Sequence, residues 1–268
     1  LGLNPEPSSR IEGGRIVIAG RDVTRLSQTE WEKLRGAPVA IVFQDPLSYL
    51  NPVMRIGRQV AESIARHTPE LQGSERVEEL LELVRLPKSV VRAYPHELSG
   101  GMRQRALIGI ALACRPRLLI ADEPTTALDV TTQAEILALL RDLRHGLGMA
   151  LLLISHDLGI VAAACERIYV MYGGRIVEWG ATGEVFGRPA HPYTQGLFEA
   201  ARAARDARGR FATIAGDPPN LAVATQGCPF APRCAKAFEP CWRAMPEPSA
   251  VPDDASHRLR CWLYDKAE

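Results

Sequence analysis

Short apolar runs of strand length alternate with longer segments of helical period along most of these 268 residues, which predicts an α/β fold on a mainly parallel, helix-covered sheet. Two further observations agree. The runs at 39–43, 118–121 and 150–154 each end in polar residues, as strands of open α/β sheets do where they meet ligand. A hydrophobic content of 46% is ample for a sizeable core.

Taken in order, Gly13 to Gly20 alternates within a glycine-bounded run and reads as an edge strand or hairpin arm. Thr29 to Arg35 reads as a short helix, and Val39 to Phe43 as a buried strand ending at Gln44. From Asn51 to about Leu98, two helical segments near 57–67 and 75–86 are joined by turn residues and predict a small helical insertion. After Ser99-Gly100-Gly101 an apolar helix runs to Cys114, Pro116 interrupts it, and a strand follows over Leu118 to Ala121. A helix from Asp129 to about Leu147, a strand Ala150 to Ile154, a helix near 157–164 and strands near 167–171 and 174–178 continue the alternation. Residues 203–268 are rich in proline and cysteine and short of periodicity, so they read as an appendage held by something other than a core. The expected division is a partial core over 1–48, a helical subdomain over 49–100, the rest of the core over 101–190 and a C-terminal region over 191–268.

A formal net charge of +1 gives no electrostatic case for nucleic acid or an anionic membrane surface. The apolar runs at 106–114, 118–121 and 150–154 fall well short of the ~20 residues that span a bilayer. Residues 1–30 lack a charged segment followed by an apolar one, so neither export nor membrane spanning is expected. Cys114 and Cys165 sit in apolar helical surroundings and read as core thiols, whereas Cys228, Cys234, Cys241 and Cys261 cluster near the C-terminus.

Chemistry concentrates at the strand ends. Asp122 and Glu123 follow the strand in LLIADEP, where one carboxylate can hold Mg²⁺ and the next can orient or deprotonate an attacking water; alternatively both simply cap a buried strand. Ser99-Gly100-Gly101 opens a helix, so a hydroxyl, glycine N–H groups and the positive helix end converge on one spot, an anion site or a plain N-cap. Gln44 and His156 add polar groups at two more strand ends.

The order and spacing of Gln44, Leu98 to Met102, Asp122-Glu123, Asp129 and His156 resemble the ATP-binding-cassette (ABC) ATPases from the Q-loop onward, over residues 12–190. The resemblance implies a P-loop-NTPase-like nucleotide-binding domain with a helical subdomain, and ATP with Mg²⁺. In it Gln44 would touch Mg²⁺ and sense a coupling subunit. Ser99, Gly100 and Gly101 would grip the nucleotide of the opposite subunit. Asp122 would bind Mg²⁺, Glu123 would be the catalytic base, Asp129 would lie in the D-loop at the dimer interface, and His156 would contact the γ-phosphate. Met102 stands where this family most often has glutamine.

The P-loop G-x-x-x-x-G-K-S/T is absent: the lysines are Lys33, Lys88, Lys236 and Lys266, and none follows a glycine. Leu1-Gly2-Leu3 and Ile11 to Gly14 resemble the segment that follows that loop, so the expectation is a start just downstream of it, no self-contained nucleotide site, and a sheet lacking strands it should pack against.

Val42 to Pro46, Leu50-Asn51-Pro52, His191 to Thr194 and the cysteine tail resemble the ATPase subunits of oligopeptide and dipeptide importers. His191-Pro192 also reads as a helix start with proline in the first turn. The resemblance implies a head-to-tail dimer with a second cassette, two transmembrane permease subunits, an extracytoplasmic solute-binding protein acting indirectly, and a place on the cytoplasmic face of the membrane. The alternative is a non-hydrolytic half-site lending its signature to a partner.

Cys228-x5-Cys234-x6-Cys241-x19-Cys261 gathers four thiols in a segment with little apolar material to fold on. An iron–sulphur cluster (4Fe-4S), a zinc ion or unligated packing thiols are the three readings, and the spacing counts against zinc. His257 could substitute as a ligand but is expected to be a surface residue.

Overall fold

The computed structural model describes residues 2–3, 11–71, 73–202, 213–220, 222 and 226–265. Leu1, Lys266 and positions 203–212 of the tail, all read above from the sequence, lie outside them. The chain forms two compact units, Leu1–His156 and Asp157–Glu268.

The first unit opens with a hairpin of β1 (Val17–Ile18) and β2 (Arg21–Asp22), turned by Ala19 and Gly20 at positive φ of 52° and 84°. Two positive φ values in a two-residue loop match the right-handed twist of the flanking strands. Helix α1 (Gln28–Leu34) starts at Ser27, whose side chain and that of Glu30 cap each other's backbone N–H groups. Then come β3 (Val39–Val42), the single turn α2 (Pro46–Tyr49), α3 (Ile56–His67), α4 (Ser74–Leu83), α5 (Gly100–Leu112), β4 (Leu118–Asp122), α6 (Val130–Leu147) and β5 (Ala150–Ile154).

The three strands pair in parallel in the order β3-β4-β5, with Ile41 beside Ile120 and Ile120 beside Leu152. Because side chains alternate across a strand, Ala40, Val42, Leu119, Ala121, Leu151 and Leu153 share one face and pack into the main core with α5 and α6. Ile56, Val60 and Ile64 of α3 and Val77, Leu80 and Leu81 of α4 complete that core. The other sheet face is poorly covered, with Leu152 and Ile154 left 47% and 46% exposed.

The second unit contains α7 (Leu158–Ala164), β6 (Arg167–Tyr172), β7 (Arg175–Ala181), α8 (Thr182–Gly187), α9 (Pro192–Arg202), α10 (Glu239–Arg243), β8 (Ser249–Val251) and β9 (Asp254–Leu259). Its four strands form an antiparallel sheet in the order β6-β7-β9-β8. One expectation is corrected here. The tail is not an appendage without a core: Phe230 packs with Tyr172, Val177 and Phe198, and Leu259 packs with Val251 and Ala190. Within this unit β7 takes the tail strand β9 as its neighbour.

His257 is the other correction. It is wholly buried on β9, where its Nε2 lies 2.7 Å from Oε1 of the equally buried Glu178. The same carboxylate accepts the N–H of Ala190 at 2.8 Å and of His191 at 2.9 Å. Three hydrogen-bonding partners therefore meet one buried carboxyl group, which is what makes its burial tolerable.

Candidate functional site

Parallel pairing brings the carboxyl ends of β3, β4 and β5 to one edge of the sheet. Gln44 follows β3, Asp122 closes β4, Glu123 comes next, and His156 lies just beyond β5. Glu123 has a φ of +45°, which a residue with a Cβ rarely adopts, and its N–H is held by the Ile154 carbonyl at 2.9 Å. The strain turns the chain sharply at the sheet edge.

Both oxygens of Glu123 are engaged. His156 Nδ1 lies 2.8 Å from Oε1, and Oε2 accepts Gln44 Nε2 at 2.8 Å and the Thr126 hydroxyl at 2.9 Å. The hydrogen bond to His156, and after it the one from Thr126, holds this carboxyl below the usual carboxylate range. Glu123 is thus ionised and able to accept a proton from water. Asp122 is half-buried beside Ile154.

Ser99 and Asp129 occupy a second locus. Ser99 Oγ accepts the Met102 N–H at 3.3 Å and starts α5, while Asp129 accepts the Thr132 N–H at 3.0 Å and starts α6. The two helix starts touch through glycine. A Cβ on Gly101 would lie 2.6 Å from Thr132 Cγ2, and one on Gly100 would lie 3.2 Å from Leu128. These contacts join the Ser99-Gly100-Gly101 segment to the Leu128–Thr132 turn, and not to Gln44, Glu123 and His156.

In the second unit Cys228, Cys234, Cys241 and Cys261 line one small cavity together with His191, Lys236 and Arg260. All four are free thiols, and burial pushes the Cys261 thiol up to about 11 and Cys228 upward as well. Among the described residues, no three His, Cys, Asp or Glu side chains form a set that could hold a metal ion. The four thiols of the expected metal site thus share one cavity.

Comparison with known proteins decides the family. A model described as "ABC transporter" matches residues 5–126, and one described as "Oligopeptide/dipeptide transporter, C-terminal region" matches residues 177–241. A probable peptide ABC transporter ATP-binding protein, y4tR of Sinorhizobium fredii, is 45% identical over 98% of this chain and 79% of its own length. The chain belongs to the ABC transporter ATP-binding proteins. The oligopeptide transport ATP-binding protein OppD of Salmonella typhimurium is 45% identical over 87% of this chain and 71% of its own length. The dipeptide transport ATP-binding protein DppD of Bacillus subtilis is 42% identical over 99% and 80%. The dimeric ATP-binding cassette MJ0796 in a post-hydrolysis state with ADP and Pi superposes with a TM-score of 0.57 at 27% identity, over 65% of this chain and 76% of that one.

Gln44, Glu123 and His156 come together as their motifs imply. Thr126 joins them and is missed by motif reading, although a threonine three residues beyond a turn-forming Glu123-Pro124 is in reach of that side chain. Among the described residues, no helix is long and apolar enough to cross a membrane.

Proposed function

We propose that this chain is the ATP-hydrolysing subunit of an importer for peptides or related solutes, working at the cytoplasmic face of a membrane beside two permease subunits and a second cassette, with an extracytoplasmic solute-binding protein acting indirectly. The observation that carries the reading is the Glu123 carboxylate, ionised and held by Gln44, Thr126 and His156 at the end of β4. In this reading Glu123 takes the proton of the attacking water, Asp122 and Gln44 hold Mg²⁺, and His156 steadies the γ-phosphate. Ser99, Gly100, Gly101 and Asp129 face the partner's nucleotide. The missing counter-charge is the P-loop lysine, which the sequence does not contain.

The side chains also connect this cluster to a surface groove lined by Tyr49, Met54, Gln59, Glu62, Arg66 and Ile110. Tyr49 stacks on Phe43 with ring centroids 4.0 Å apart, and Phe43 precedes Gln44. A permease segment seated in the groove would press on Tyr49 and thereby on the residue that touches the base. The reading is tested by ATP turnover in membranes that hold the permease pair and a cassette supplied with an upstream P-loop. Stimulation by solute-loaded binding protein, lost in Tyr49→Ala with basal turnover kept, supports it. Turnover indifferent to permease and solute counts against it.

The cysteine cavity supports a second component, a 4Fe-4S cluster bound by Cys228, Cys234, Cys241 and Cys261. Four free thiols face one cavity without a carboxylate among its lining residues. Lys236 and Arg260 line the same cavity and would offset the negative charge of a thiolate-ligated cluster. When bound, such a cluster would supply tail rigidity or one-electron chemistry. Anaerobic purification with about four iron and four sulphide per chain, lost on serine substitution of any one cysteine, is expected; metal-free protein with an ordered tail would refute it.

A further inference from the structure

We infer that Thr126 is a positioning residue for the Glu123 base, the contact from within the base's own turn that keeps the carboxylate aimed while Gln44 and His156 also serve the nucleotide. The inference rests on the base role proposed above for Glu123. In the structure three side chains hold that carboxylate, but they differ in what else they are asked to do. Gln44 and His156 come from the ends of β3 and β5, and in the proposed mechanism both have work at the nucleotide: Gln44 on Mg²⁺, His156 on the γ-phosphate. Gln44 meets Glu123 through Nε2 and would meet Mg²⁺ through Oε1, and His156 meets Glu123 through Nδ1 and would meet phosphate through Nε2, so the position of each is shared between Glu123 and the nucleotide.

Thr126 has no second duty in the proposed mechanism. It lies three residues beyond Glu123 in the same turn, closed by the Thr126 N–H to the Glu123 carbonyl at 3.2 Å. That turn is fastened from outside, since the carbonyl of the buried Thr125 accepts Gln133 Nε2 of α6 at 3.1 Å and the Leu128 N–H at 3.3 Å. The hydroxyl therefore rides on a fixed backbone, 2.9 Å from Oε2. Its partner needs such a fix. Glu123 starts from a strained φ of +45° and its side chain is only 23% exposed, yet no helix or strand holds its backbone on the C-terminal side.

A hydroxyl that donates to Oε2 leaves the other lone pairs of that carboxylate free to accept a proton from water. Loss of the hydroxyl should thus lower the rate of the chemical step without changing nucleotide affinity, because misaiming a base costs turnover and not binding.

The test is Mg²⁺-ATP turnover by the cassette joined to an upstream P-loop, as a series of four proteins: unsubstituted, Thr126→Val, Thr126→Ser and Glu123→Gln, with the Glu123→Gln/Thr126→Val double variant added. Thr126→Val is expected to lower kcat about tenfold with KM unchanged, and Thr126→Ser to stay within about twofold of the unsubstituted protein. In the Glu123→Gln background, Thr126→Val should have no further effect, since a positioning residue acts only through the group it positions. An unchanged kcat in Thr126→Val, a rise in KM of the same size, or a full additional loss in the double variant would overturn the inference. Full turnover by Glu123→Gln, or none by the unsubstituted protein, would instead overturn the function on which it rests.

Discussion

His156 Nδ1 and Glu123 Oε1 stand 2.8 Å apart across the ends of two neighbouring parallel strands, β5 and β4. The bond favours the ionised Glu123 carboxylate, and in the proposed function it sets the histidine ring against the γ-phosphate. His156→Ala in a P-loop-bearing cassette should therefore retain ATP binding and lose turnover by about a hundredfold. Equilibrium binding of a fluorescent ATP analogue beside a steady-state assay separates the two. Equal losses in both would mean that His156 merely supports the fold.

Gly101 is required by contact rather than by backbone freedom. A methyl group there would meet Thr132 Cγ2 at 2.6 Å, so Gly101→Ala should destabilise the first unit by about 1–3 kcal/mol. Thr132→Ser removes that methyl while keeping the hydroxyl that donates to Asp129 at 2.7 Å. The double variant Gly101→Ala/Thr132→Ser should thus recover most of the loss in urea denaturation. No recovery would show that the helix starts are not packed on each other.

Glu178 ties three parts of the second unit together, namely β7, the start of α9 and β9. Glu178→Ala leaves His257 Nε2 and the N–H groups of Ala190 and His191 without their acceptor, at a cost of about 3–5 kcal/mol. The Glu178→Leu/His257→Leu double variant should lose less, because both halves of the buried polar pair leave together. Hydrogen exchange at the β7–β9 amides reads the difference, and unchanged protection in Glu178→Ala would contradict it.

His191 gives the second unit a pH dependence. Its Nδ1 accepts the Tyr193 N–H at 3.0 Å at the start of α9, and burial lowers its pKa from 6.5 to about 4. Protonation thus favours the unfolded chain. Stability from this group is complete above about pH 6.5 and is lost as pH falls toward 4, by roughly 3 kcal/mol in all. Asparagine can accept the same N–H without titrating. His191→Asn should flatten the slope of unfolding free energy between pH 6.5 and 4. An unaltered slope would remove His191 from this role.

Gln44, Glu123 and His156 are legible in the sequence because each ends an apolar strand run, and parallel pairing carries such ends to one edge. Ser99 and Asp129 are legible as helix caps for the same local reason. The tail is not legible in this way. On β9 the residues facing inward are His257 and Leu259, so apolar alternation is missing, and the partner that makes His257 a core residue is 79 positions away on β7. The pairing of β7 with β9 is hidden likewise, because it is long-range, setting Trp179 beside Arg258. Thr126 is a short-range contact, but a single threonine in a turn carries no pattern until Glu123 is seen bending back toward it.

Rates of Mg²⁺-dependent ATP hydrolysis by three proteins test the central claim most directly: the 268-residue chain alone, the cassette joined to an upstream P-loop, and that cassette with Glu123→Gln. The expected result is turnover in the second only, with ATP still bound by the third, since an amide can position water but cannot take its proton. Hydrolysis by the Glu123→Gln protein at the unsubstituted rate would remove Glu123 as the base, and robust hydrolysis by the 268-residue chain alone would show that its phosphate counter-charge comes from somewhere other than a P-loop lysine.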